Sequence, residues 1–169
     1  MWLLRHGFAI VVLPVTMTIL MPRWLCGACV LSMPPLAFAV PALIAFVIGA
    51  ALFFSTVYLF ATVGRGTLAP WDPPARLVVR GPYRFVRNPM ISGILFVIVA
   101  EALFFRSASI AIWAAAFFVI NAIYIPLVEE LGLERRFGDE YRAYKRAVPR
   151  LLPGLTSLRS AAHRPSSSS

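Results

Sequence analysis

Four apolar runs, residues 2–21, 36–63, 89–105 and 108–128, take up most of this 169-residue chain. Runs of that length exceed what a buried strand needs and approach what a helix needs to cross a hydrocarbon layer. Lipid offers no partner to a backbone N–H or C=O, so an open chain of such segments can satisfy its backbone only as helices. The composition agrees: 60% of residues are hydrophobic, 14% are charged, and the mean hydropathy is +0.80. The expected fold is all-α, a polytopic membrane helical bundle of about four transmembrane helices with an amphipathic helix after them. Pro22-Arg23 is expected to end the first run.

The net charge of +9 does not point to nucleic acid, because the basic residues flank apolar spans rather than covering a soluble face. They fit instead the bias of cytoplasmic loops toward Lys and Arg, and attraction to anionic lipid. With the N-terminus inside, four spans place fourteen of the sixteen Lys and Arg residues on the cytoplasmic side, leaving only Arg23 and Arg106 outside. This count predicts an integral, multi-pass protein with both termini cytoplasmic.

Length allows one bundle, expected over residues 1–153, with N-terminal spans in 1–63 and a core in 64–153; residues 154–169, ending in four serines, read as a disordered tail. Before that tail, Leu133, Phe137, Tyr141, Tyr144 and Val148 recur every three or four residues, predicting a cytoplasmic helix with its apolar stripe on the membrane interface. Cys26 and Cys29 read as ordinary small apolar residues, since no second Cys pair exists and His6 and His163 lie at opposite ends of the chain; no metal site is expected. Glu101 lies twelve residues past Pro89, roughly 18 Å along a helix, where pairing with Arg106 would satisfy it. Asn121 reads as an interhelical hydrogen-bonding residue.

The segment Gly81-Pro82-Tyr83-Arg84-Phe85-Val86-Arg87-Asn88-Pro89-Met90 reads as a turn leading into a helix, with Pro89 suited to the first helical turn. It precedes a helical hairpin whose second leg returns at Glu129-Glu130, so these two stretches are expected to meet at one membrane face. Tyr83, Arg87, Asn88 and the two carboxylates would then form an amphipathic site, with a polar cofactor on one side and a lipidic substrate on the other. The plainer alternative pairs Glu129 and Glu130 with Arg135 or Arg136 in a solvated loop.

Taken in order, GRGTLAPWDPPARLVVR, GPYRFVRNPM, the pair EE and FGDEYRAYKRAVPRLLP resemble the isoprenylcysteine carboxyl methyltransferase and phospholipid methyltransferase families of integral membrane enzymes, over residues 64–153. The resemblance implies an enzyme that binds S-adenosylmethionine between the hairpin and the C-terminal helix and methylates a lipid-like or prenylated acceptor. Carried over by position, Gly81, Pro82, Tyr83, Arg87, Asn88 and Pro89 would shape the cofactor pocket and Glu129 and Glu130 complete its polar wall, with Arg87, Glu129 and Glu130 as the catalytic candidates. The chain departs from the families' Arg-His-Pro-x-Tyr at Asn88 and Ile91, and Asn cannot change charge near neutral pH as His does.

Transfer of a methyl group from a sulfonium asks chiefly for alignment of nucleophile, methyl and sulfur. Tyr83 or Phe85 suits cation–π contact with that sulfonium. A carboxylate acceptor would need only a positioning cation such as Arg87, whereas an amine acceptor would need a base, for which Glu129 or Glu130 is the candidate. Two other readings compete: a membrane reductase of the sterol-reductase kind using NADPH, and a non-catalytic scaffold or transporter subunit. The sequence carries no inverted repeat, which counts against transport.

Overall fold

Prolines within apolar helices demand local adjustment, and the structure makes it twice. The computed structural model describes residues 14–27, 33–59, 62, 77 and 79–151. A π-helical turn, Thr16–Leu20, leads into α1 (Met21–Cys26), and a second one, Ile125–Glu129, joins α4 (Ala108–Tyr124) to α5 (Glu130–Ala147). Pro22 follows the first and Pro126 lies inside the second. In each the backbone widens by one residue, Met21 N–H reaching Thr16 O and Glu130 N–H reaching Ile125 O, so the helix absorbs a proline that would otherwise break it. Pro22-Arg23 therefore does not end the first apolar run as expected; the helix continues to Cys26.

Between these lie α2 (Leu36–Leu59), a 3₁₀ turn (Gly81–Arg84) and α3 (Pro89–Phe105). Among the described residues every regular element is helical. Two helices, Leu36–Leu59 and the stretch Ala108–Ala147, are long and apolar enough to cross a membrane, and α3 is a shorter apolar one. Their outward faces are apolar too: Leu43, Val47, Phe54, Ile112 and Ile120 are all exposed. Such a surface is compatible with membrane association. The expected first span falls mostly outside the described residues, as does the 154–169 tail.

Backbone contact between α2 and α3 depends on two glycines. A Cβ added to Gly49 would sit 2.7 Å from Gly93 O, and one added to Gly93 would sit 2.8 Å from Gly49 O, so only hydrogen fits at either position. α3 turns into α4 through Arg106, in the left-handed region at φ 52°, and Ser107. Ile94 and Ile98 then pack against Ile110, Ala114 and Phe117. Met17 and Cys26 pack onto this core, and Trp113 Nε1 donates to Met17 O at 3.2 Å. Cys26 is disulfide-bonded, which corrects its reading as an ordinary apolar residue; Cys29, the second cysteine of the chain, lies outside the described residues.

The C-terminal helix differs most from expectation. At Gly138 the backbone takes φ 54° and ψ −127°, which breaks α5 into two arms. In a straight helix Glu134 and Lys145 would stand about 16 Å apart. Here Lys145 Nζ donates to Glu134 Oε1 at 2.9 Å, so the second arm folds back toward the first. Leu133, Phe137, Tyr141, Tyr144 and Val148 consequently pack in one cluster with Leu77 and Val79, and Tyr141, Tyr144 and Val148 are buried in protein. They do not form a continuous stripe on a membrane surface, because the bend turns the two halves of the stripe toward a shared core.

Replacing Gly138 by Ala is expected to destabilise the folded protein by about 1–3 kcal/mol, since a side chain makes that backbone conformation unfavourable even though nothing stands within 4 Å. Gly132→Ala, at a helical position with equally open surroundings, is the control and should be neutral or slightly stabilising. Thermal unfolding of both variants in detergent checks the pair.

Candidate functional site

Pairing of two distant backbone segments holds the Gly81–Met90 stretch in place. Arg87 N donates to Pro149 O at 2.8 Å and Asn88 N to Arg150 O at 3.1 Å, so the segment after α5 lies along the entrance to α3. Ser92 Oγ fastens it by donating to Leu151 O at 2.6 Å in fully buried surroundings. Gly81 starts the stretch at φ 56°, a conformation that favours glycine, with Leu59 at the end of α2 directly against it. Pro82 follows in the 3₁₀ turn, and Pro89 is buried in the first turn of α3.

This arrangement delivers Arg87 to Glu130. Arg87 Nη1 stands 2.8 Å from Glu130 Oε1, Arg150 Nε donates to the same oxygen at 2.9 Å, and Lys145 Nζ lies 3.2 Å from Oε2. Glu130 is 1% exposed and Arg87 9%. The first helical arm, the second arm, the terminal segment and the Gly81–Met90 stretch thus share one buried carboxylate. Burial pushes that carboxyl up, but the Arg150 hydrogen bond, the Arg87 charge and the Lys145 hydrogen bond outweigh it and hold Glu130 below the ordinary carboxylate range. For Glu130 these three partners stand where the plainer alternative had Arg135 or Arg136.

Glu129 has a different setting. Its side chain keeps an exposed surface while Tyr83 and Tyr141 lie near enough to feel its charge. Burial raises all three neighbouring phenols, Tyr83, Tyr141 and Tyr144, above the usual tyrosine range, so they are neutral hydrogen-bonding groups rather than bases. Tyr144 donates to Tyr83 O at 2.7 Å. Thr56, buried on α2 with its hydroxyl donating to Leu52 O at 2.7 Å, lies beside the Tyr83 side chain. Asn88 makes no side-chain capping bond to α3, leaving its amide uncommitted to the helix start.

Of the residues expected at the site, Tyr83, Arg87, Glu129 and Glu130 meet at one end of the bundle, and Asn88 adjoins them in sequence. Four participants were missed. Thr56 and Ser92 are fully buried hydroxyls inside apolar runs, a signal the sequence does carry. Lys145 and Arg150 belong to the FGDEYRAYKRAVPRLLP segment, but only the Gly138 bend brings them to Glu130.

The set offers groups of the kind a zwitterionic cofactor would need. Arg87 Nε is buried without a hydrogen-bond partner, a donor suited to a carboxylate, while exposed Glu129 offers an acceptor for an ammonium or a ribose hydroxyl. Among the described residues no cluster of His, Cys, Asp and Glu could hold a metal.

Glu130→Gln is expected to destabilise the protein by about 3–5 kcal/mol, because three cations lose the charge they share and Arg87 is left buried. The lowered folded value also sets the pH dependence. The Glu130 contribution is complete above the ordinary value of 4.5 and fades as pH falls through the folded value. Unfolding midpoints measured from pH 7 down to pH 3 should therefore converge between wild type and Glu130→Gln.

No curated protein and no solved structure matches the chain. The sequence model of the family described as phospholipid methyltransferase matches residues 37–140, from the second residue of α2 to the second arm of α5. That range takes in the Gly81–Met90 stretch and both glutamates, and it supports neither the reductase nor the scaffold reading. The chain belongs to the phospholipid methyltransferase family, a family of membrane methyltransferases.

Proposed function

We propose that the protein uses S-adenosylmethionine to methylate a lipid-like or prenylated acceptor, of the phospholipid-amine or isoprenylcysteine-carboxylate type, at the cytoplasmic membrane face. The reading includes a multi-pass integral topology with both termini cytoplasmic, as the distribution of Lys and Arg argues. The observation that carries it is the convergence of Arg87, Glu129 and Glu130 at one end of a helical bundle whose family is one of methyltransferases.

The two glutamates have different tasks. Glu130 is committed to three cations and acts as a positioning residue that sets the place of Arg87 and of the terminal segment. Glu129, adjacent and exposed, is the carboxylate that meets the cofactor or the acceptor. Bound S-adenosylmethionine supplies an electrophilic methyl group on sulfur. The chain's part is alignment: Arg87 holds a carboxylate, Glu129 holds an ammonium or ribose hydroxyl or takes the proton of an amine acceptor, and the neutral tyrosines present ring faces and hydroxyls without competing as bases. Gly81, Pro82, Asn88 and Pro89 give this pocket its backbone, with the Asn88 amide able to donate and accept where the related motif has an imidazole.

Titration of detergent-purified protein with S-adenosylmethionine, its demethylated product and NADPH tests the class. Both methyl-cycle compounds should bind and NADPH should not; folded protein that binds neither ends the proposal. Glu129→Ala should weaken cofactor binding about tenfold or more, while Asn88→Ala should have a smaller effect. Unchanged affinity in both variants would leave the reaction class standing and remove the site assignment. Transfer of labelled methyl groups into extracted lipid then identifies the acceptor.

A further inference from the structure

A cavity lies at the end of the α2–α3 pair opposite the Arg87–Glu130 cluster. It measures about 360 Å³ and is lined by Ala39, Ala42, Leu43 and Phe46 of α2 and by Glu101 and Phe104 of α3. Glu101 lies about 18 Å along α3 from Pro89, so this cavity belongs neither to the Arg87–Glu130 cluster nor to the pocket proposed above it. Its volume is within the range of ligand cavities, and its wall is apolar apart from one carboxyl group.

That carboxyl group is not satisfied within the protein. Glu101 Oε2 is buried with no hydrogen-bond partner, and among the described residues no ion pair joins Glu101 to Arg106, contrary to the pairing expected from sequence. An unpaired carboxyl oxygen inside an apolar bundle is costly unless a donor reaches it. The terminal torsion of a glutamate is broad and roughly two-fold, so a donor in the cavity can be met by either oxygen. The same stretch of α2 is apolar and exposed at Leu36, Val40, Leu43 and Phe46, as on a surface that meets acyl chains.

We infer that this cavity binds a single amphiphile whose head carries N–H donors, an ammonium-headed lipid, with the head on Glu101 and its apolar part along Phe46 and Phe104. The unpaired carboxyl oxygen selects the head: an ammonium supplies both the N–H donor and the positive charge that Glu101 lacks within the protein. The site is distinct from the proposed methyl-transfer site, and its occupancy does not require that reaction.

The test uses full-length protein in nanodiscs with a photoactivatable ethanolamine-headed lipid and its choline-headed counterpart, which has the positive charge but no N–H. The ethanolamine probe should label peptides containing residues 39–46 or 100–105 about tenfold more than the choline probe. Glu101→Leu should remove that preference and Glu101→Gln should reduce it, whereas Glu129→Ala should leave it unchanged. Equal labelling by the two probes overturns the inference, as does labelling confined to residues 79–90 or insensitivity to both Glu101 variants. A cross-link from residues 39–46 to another copy of the chain also overturns it, by making this face a protein contact. The comparison of probes on wild-type protein decides the matter even where a Glu101 variant does not fold.

Discussion

Burial of Glu130 among three cations is the constraint on which the rest of the site depends. A carboxylate that is 1% exposed must be compensated, and its partners come from three places: Arg87 from the stretch before α3, Lys145 from the second arm of α5, and Arg150 from the segment beyond it. Each partner carries its own piece of chain to the same point. Arg87 and Asn88 bring the backbone that pairs with Pro149 and Arg150, and Ser92 closes that contact from below. The bend at Gly138 is what allows Lys145 to reach back.

Above this fixed point the surroundings become permissive. Glu129 is next to Glu130 in sequence, yet a helical step of about 100° sends it elsewhere, toward Tyr83 and Tyr141 and to an exposed surface. One buried, charge-compensated glutamate thus stands beside one exposed glutamate: the first orders the cluster, and the second is the carboxylate proposed above to meet a ligand. The neutral tyrosines complete a polar yet weakly basic environment, suited to transfer that relies on alignment more than on proton movement.

The α2–α3 contact supports both ends of the bundle. Gly49 and Gly93 let two backbones touch, and this sets Thr56 beside Tyr83 at one end and Phe46, Phe104 and Glu101 around one cavity at the other. α2 therefore adjoins the candidate site through Thr56, although nothing in its sequence resembles a catalytic motif. Thr56 was visible only as one hydroxyl in an apolar run, a pattern that equally suits a residue bonding its own helix, which it also does.

Much about this protein follows from sequence because hydrophobic length is a one-dimensional property. Apolar runs at 89–105 and 108–128 mark the hairpin, and its short connection at Arg106-Ser107 makes the meeting of Arg87 with the EE pair a matter of geometry. Motif order carried the family. What sequence did not determine is how charge and bend act together. A stripe of Leu133, Phe137, Tyr141, Tyr144 and Val148 has the same periodicity whether the helix is straight or folded at Gly138, and only packing against Leu77 and Val79 selects the fold-back. The same holds for the charged residues: local spacing offers Arg135 and Arg136 to Glu130 and Arg106 to Glu101, but tertiary structure gives Glu130 three distant cations and leaves Glu101 facing a cavity. Electrostatic partners are set by distance in space, and that distance exists only once the helices have packed.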